Sequence, residues 1–159
     1  MTDARRAGAA DAEELVRLRR VMYADADGEL PEPAPWQRAA AETLRRQLAE
    51  PGGPAVAFVV DKPDQPGELA ACAIGAVDWR LPGPTNPVAE VGYVLNVATD
   101  VDSRRRGYAR ACMVALLAWY RDRGVWRVDL RASAEAEPLY RSLGFAPLPY
   151  STLRWTMDV

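Results

Sequence analysis

A chain of 159 residues, 49% hydrophobic and 26% charged, has the size and composition of one folded domain rather than of a disordered segment. It contains no histidine, which excludes Ser–His–Asp triads, Cys–His nucleophile pairs and HExxH zinc sites. A net charge of −2 argues against a basic nucleic-acid binder, and the longest apolar run, 111–120, falls far short of the roughly 20 residues a membrane span needs.

Leu15, Leu18, Val21 and Met22 recur at helical spacing and predict a first helix over 12–24, with Asp11 as its cap and Glu14 completing a capping box. A polar, proline-rich loop follows at 25–35. A second helix, 36–50, carries Trp36, Ala40, Leu44 and Leu48 and stops at Pro51-Gly52-Gly53. The apolar runs 55–60 and 69–79, separated by turn residues, predict a hairpin. After a loop at 81–87, the stretch 88–98 is apolar on both alternating sets, as a central strand covered on both faces would be.

A long helix over 107–123, apolar nearly all round, ends at Gly124. Trp126, Val128 and Leu130 alternate with Arg127, Asp129 and Arg131 in a strand with one polar face. A short helix over 134–143 closes at Gly144, and two last strands are expected at 145–149 and 152–157, with a short first strand at 4–8. The order α α β β β α β α β β describes a single α/β (α+β) domain over 1–159, a mixed, mainly antiparallel sheet with helices on both faces. Cys72 and Cys112 lie in apolar stretches and form no CxxC, so they are expected as packing residues of a cytoplasmic protein. The opening stretch lacks the apolar segment of an export signal.

Charge is unevenly spread. Residues 1–100 carry 10 Lys+Arg against 16 Asp+Glu, and residues 101–159 carry 10 against 6. Within 104–131 eight arginines face only Asp122 and Asp129, while Asp25, Asp27, Glu29 and Glu32 crowd the loop after the first helix. The pattern suits a solvated surface of mixed sign and equally two subsites, one for an anionic and one for a cationic ligand.

The chemistry concentrates at the strand-to-helix junction over 91–113, where Arg104-x-x-Gly107-x-Ala109 opens the long helix. The first N–H groups of a helix have no internal partner and, with the helix dipole, attract an anion. Gly107 lets a phosphate approach the backbone and the arginines add attraction. By spacing alone a plain helix start capped by Asp102 or Ser103 fits as well. Neither a Walker A loop nor GxGxxG is present.

Arg104-Arg105-Arg106-Gly107-Tyr108-Ala109 resembles the acyl-CoA-binding segment of the GCN5-related N-acetyltransferase (GNAT) superfamily, Q/R-x-x-G-x-G/A. Ser133-x-x-Ala136-x-x-Leu139-Tyr140-x-x-Leu143-Gly144-Phe145 resembles a second family segment, and the two cover about 91–146. The resemblance implies acetyl-CoA as co-substrate, no metal, and an amine-bearing acceptor, a small molecule or a peptide. It implies that Val97, Ala98 and Thr99 pair with the pantetheine arm and that backbone amides over Arg105, Arg106, Gly107, Tyr108, Ala109 and Arg110 hold the pyrophosphate. It further implies Tyr140 as general acid toward the leaving thiolate. Ser133 stands where many members have an asparagine that contacts the cofactor arm.

For the general base Glu90 is the first candidate, with Glu29 and Asp78 behind it. The loop between the first two helices, with Glu29 beside Trp36, is expected to shape the acceptor pocket for a cationic amine. A homodimer is the default assembly. The alternative reading is a module that keeps the fold and binds coenzyme A without catalysis.

Overall fold

The computed structural model describes residues 3–28 and 34–158. Its sheet has five strands in the order β1 (Arg5–Arg6), β2 (Ala55–Asp61), β3 (Leu69–Trp79), β4 (Glu90–Thr99) and β5 (Val128–Asp129). All neighbours pair antiparallel except β4 and β5, which run parallel and are joined through a helix crossover. Helices α1 (Ala12–Asp27) and α2 (Pro35–Ala49) cover one face, and α3 (Tyr108–Asp122) the other, with α4 (Glu137–Ser142) beside it.

Alternation between two covered faces explains why β2 and most of β3 are apolar at successive positions. In β2, Val56 and Val60 enter the core under α3, while Ala57 and Val59 enter the core under α1. In β3, Ala71 and Ala73 face α3, and Cys72 and Ile74 face α1. Both cysteines are buried, and burial pushes the Cys72 thiol up to about 11 and the Cys112 thiol up to about 12.

A bulge interrupts the β3–β4 ladder. Ile74 pairs with Asn96 and Gly75 with Val94, so Leu95 has no opposite number. Tyr120, 1% exposed, fills the space behind this point. Its hydroxyl lies 2.9 Å from the Ala76 carbonyl and 3.0 Å from that of Tyr93, bridging the two strands. A Cβ on Gly75 would fall 2.4 Å from that hydroxyl, and one on Gly92 2.6 Å from the Tyr120 ring, so the two glycines make room for the tyrosine.

Several expectations are corrected. The chain enters α1 through a 3-10 turn at Ala9–Asp11, and the Asp11 carboxylate reaches back to the Gly8 N–H at 2.9 Å instead of capping α1. Glu14 accepts the Leu69 N–H at 2.8 Å and pairs with Arg17. Helix α3 buries one face, Cys112, Met113, Leu116 and Tyr120, and leaves Val114 52% exposed. Strand β5 is shorter than 126–131: Val125 tucks into the core, whereas Trp126 is 70% exposed.

The two last strands do not form; residues 146–158 are exposed and carry no strand. Pro147 and Pro149 remove two N–H donors from the same edge of that segment. Leu153, Trp155 and Met157 alternate as a strand would, but alternation needs a partner edge, and among the described residues β5 pairs only with β4.

Candidate active site

Strands β4 and β5 pair only at Gly92–Val128 and Tyr93–Asp129. Beyond Tyr93 the two part, so residues 94–99 have no strand on that side among the described residues. This is a wedge in the ladder, along which the backbone donors and acceptors on that side of β4 have no strand partner among the described residues. Val97, half-buried, packs toward α3, Ala98 is buried toward α1, and Thr99 ends the strand.

The wedge leads into the turn between β4 and α3. Asp100 starts a 3-10 turn, Val101–Ser103, by accepting the Val101 N–H at 2.9 Å. Arg104, Arg105, Arg106 and Gly107 are then exposed. Arg105 has φ 61° and Gly107 has φ 80°, two left-handed positions that swing the chain into α3. The first bond of the helix runs from the Ala111 N–H to the Gly107 carbonyl, 3.0 Å, so the amides of Tyr108, Ala109 and Arg110 have no helical partner. Nothing lies within 4 Å of the place a Gly107 Cβ would take, so the turn is open to an incoming anion.

The arginines divide. Arg104 pairs with Asp25 near the end of α1. Arg110 bonds the Ser142 hydroxyl and draws α4 against the start of α3. Arg105 and Arg106 have no polar partner among the described residues and are the two cations left for a ligand. Ser133 accepts the Ala136 and Glu137 amides and shapes the turn into α4.

Tyr140, on α4, is 7% exposed and stands edge-on to Phe145, with 6.0 Å between ring centroids. Burial pushes its phenol above the ordinary value of 10. Its hydroxyl bonds no described residue, unlike that of Tyr120.

Glu90 is elsewhere. It begins β4, at the opposite end from Thr99, and Arg123 at the end of α3 grips it at 3.1 and 3.2 Å. Those bonds hold its carboxyl below the usual 4.5, which makes it a weak base. Asp78 is half-exposed beside Arg80, 3.5 Å away. Glu29 and Glu32 lie outside the described residues.

On the other face, Trp36 meets Tyr23 edge-on at 5.8 Å, and the Arg19 guanidinium stacks 5.0 Å from the Tyr23 ring centre. Arg19 also donates to Asn96, a buried side chain of β4 next to the bulge, at 3.1 Å. With Asp25 neutralised by Arg104 and Arg19 close by, this face is not uniformly acidic. No local pattern marks Arg19, Asn96 or the Asp100 cluster, because Arg19 and Asn96 are 77 positions apart and Asp100 lies 83 from Arg17 and 38 from Lys62. Tyr120 did have a sign, two glycines inside apolar strands.

Among the described residues no helix is long and apolar enough to cross a membrane. Residues 16–145 match the acetyltransferase (GNAT) family. Mycothiol acetyltransferase of Thermobispora bispora is 34% identical over 142 residues, 87% of this chain and 43% of that protein, so the chain spans less than half of that relative's length. A GCN5-related N-acetyltransferase from Ralstonia eutropha JMP134 superposes with a TM-score of 0.81 at 25% identity, covering 98% of this chain and 99% of that one. A predicted acetyltransferase from Clostridium acetobutylicum, solved with acetyl-CoA, superposes at 0.80 with 22% identity, over 97% and 96% of the two chains. With the wedge, the open turn and a family match across most of its length, the chain belongs to the GNAT acetyltransferase family.

Proposed function

We propose that the protein transfers an acetyl group from acetyl-CoA to a primary amine by direct attack. The observation that carries this reading is the continuity of the wedge at residues 94–99 with the unbonded amides of Tyr108, Ala109 and Arg110. An extended amide-bearing arm fits the first and a diphosphate the second. The solved acetyl-CoA complex of a protein with the same fold agrees with this donor.

The chemistry such a donor supplies is an activated acetyl thioester that a neutral amine can attack. The backbone of Val97, Ala98 and Thr99 aligns the arm, and the amides at the start of α3, with Arg105 and Arg106, hold the diphosphate. As the N–C bond forms and the C–S bond breaks, the Tyr140 hydroxyl gives its proton to the departing sulfur. Its raised pKa keeps it protonated through neutral pH. No enzyme nucleophile is required, in keeping with a chain that has no histidine.

Glu90 is not carried into this mechanism, because Arg123 occupies it. The acceptor amine then loses its proton to solvent, and the rising limb of the pH–rate profile follows the pKa of each acceptor. A limb that stayed at one pH across acceptors would assign the step to an enzyme base instead.

The acceptor enters beside Trp36 and Tyr23 and meets the thioester at the bulge. A thiol-release screen with acetyl-CoA tests the activity against polyamines, amino acids, aminoglycosides, peptide N-termini and the mycothiol-related amines that the relative's name suggests. Release with one amine class is expected. Coenzyme A binding in calorimetry with no thiol release on any amine would leave a binding module in place of an enzyme.

A further inference from the structure

We infer that Asp100 is a positioning residue for the donor's diphosphate, a role that rests on the donor assignment above. Asp100 stands between the end of β4 and the exposed turn, and all its polar groups are engaged. Its N–H donates to the Ala70 carbonyl at 2.8 Å, and its carbonyl accepts the Ser103 N–H at 2.9 Å. One carboxylate oxygen accepts the Val101 N–H at 2.9 Å. The other receives Arg17 Nη1 and Lys62 Nζ, each at 2.8 Å.

Those two cations come from different directions. Arg17 belongs to α1 and also donates to the Leu69 carbonyl at 2.9 Å. Lys62 follows β2 and reaches Asp102 at 2.9 Å and Glu68 at 3.2 Å. Lys62 and Asp100 are nearly enclosed, with side chains 9% and 13% exposed. Asp100 is thus held from α1, from the β2–β3 connection and from the start of β3.

The turn beyond it depends on that hold. Past the 3-10 turn the amides of Tyr108, Ala109 and Arg110 have no helical partner, and regular helix bonding begins only with the Ala111 N–H on the Gly107 carbonyl. The segment is tied by side chains at Arg104 and Arg110, and its backbone enters from the end that Asp100 anchors. Ion clusters are an inefficient source of stability compared with apolar packing, so beside a modest pH-dependent stability this one contributes a fixed register at the point where the ligand's charge arrives.

The test compares coenzyme A with pantetheine, which lacks the diphosphate, by calorimetry on the full chain. In Asp100→Asn the coenzyme A dissociation constant is expected to rise roughly tenfold to a hundredfold, the effect of misplaced contacts, while that of pantetheine stays put. Lys62→Met, which leaves Asp100 its bond to Arg17, should move the same way by less and carries the comparison if Asp100→Asn does not fold. Equal losses for both ligands would mean general loosening and overturn the inference. So would undiminished coenzyme A binding in both variants. An unaltered chain that binds no coenzyme A would instead remove the donor assignment, and this role with it.

Discussion

Two tyrosines buried on the same face of the sheet differ in what their hydroxyls do. Tyr120 shares its one proton between two backbone carbonyls, and Tyr140 bonds no described residue. A proton donor must have its proton to give, so the proposed mechanism gives the acid's part to Tyr140 and not to Tyr120. Tyr140→Phe is expected to lower turnover by about 10²–10⁴, the usual weight of one general acid, with coenzyme A affinity unchanged. The pH profile separates this from a packing effect. The protonated phenol is the active form and burial raises its pKa, so a falling limb due to Tyr140 lies above the ordinary value of 10 and is absent from the variant. Steady-state rates into the alkaline range decide it; a variant with unaltered rates throughout would take Tyr140 out of the mechanism. Glu90→Gln is the matching control. It breaks a half-exposed ion pair, costing about 0–1 kcal/mol, and should leave turnover intact; a large loss would return Glu90 to the role of base.

At the scale of elements, the start of α3 and the β3–β4 bulge both depend on glycines, for different reasons. Gly107 has open space around it but a φ of 80°, so Gly107→Val is resisted by the backbone. The variant should tilt the amides of residues 108–110 and weaken coenzyme A binding more than it lowers the melting temperature; unchanged affinity would contradict the anion cradle. Gly92 has an ordinary backbone but no room, and Gly92→Ala should displace the Tyr120 ring and destabilise the fold by about 1–3 kcal/mol in chemical denaturation. Which elements were legible follows from the same physics. The range 69–79 is readable as β3 because both faces are buried over 69–75, where every residue has to be apolar or small, and the strand turns outward only at Asp78 and Trp79. The turn at Gly107 and the helix carrying Tyr140 were readable because their motifs are local. The length of β5 and the fate of residues 146–158 depend on whether a partner edge is present, and alternation within a segment carries no record of that. The same holds for Glu90: a carboxylate at a strand end looks free until the chain returns 33 positions later with Arg123.

At the scale of the whole molecule, ion pairs tie the α1 side of the domain to the sheet and to the turn before α3. Arg5 holds Asp11 and Asp61, Arg17 and Lys62 hold Asp100, and Arg104 holds Asp25. Bonds from Arg5 keep Asp11 and Asp61 below the ordinary carboxyl value of 3.8. Burial pushes Asp100 up, but the bonds from Lys62 and Arg17 outweigh it and leave it below 3.8 as well. The sign follows. A carboxyl whose pKa is lower in the fold than in the unfolded chain binds fewer protons when folded, so its contribution to stability is whole above 3.8 and is lost as the pH falls through the folded value. Melting temperature measured from neutral pH down to about pH 2 should hold level and then drop below 3.8 as these carboxyls are forced to protonate. Asp100→Asn removes one of them, so its melting curve should start lower at neutral pH and fall less steeply in acid. Parallel curves for the two proteins would show that the Asp100 cluster contributes no pH-dependent stability, and that its charges serve geometry alone.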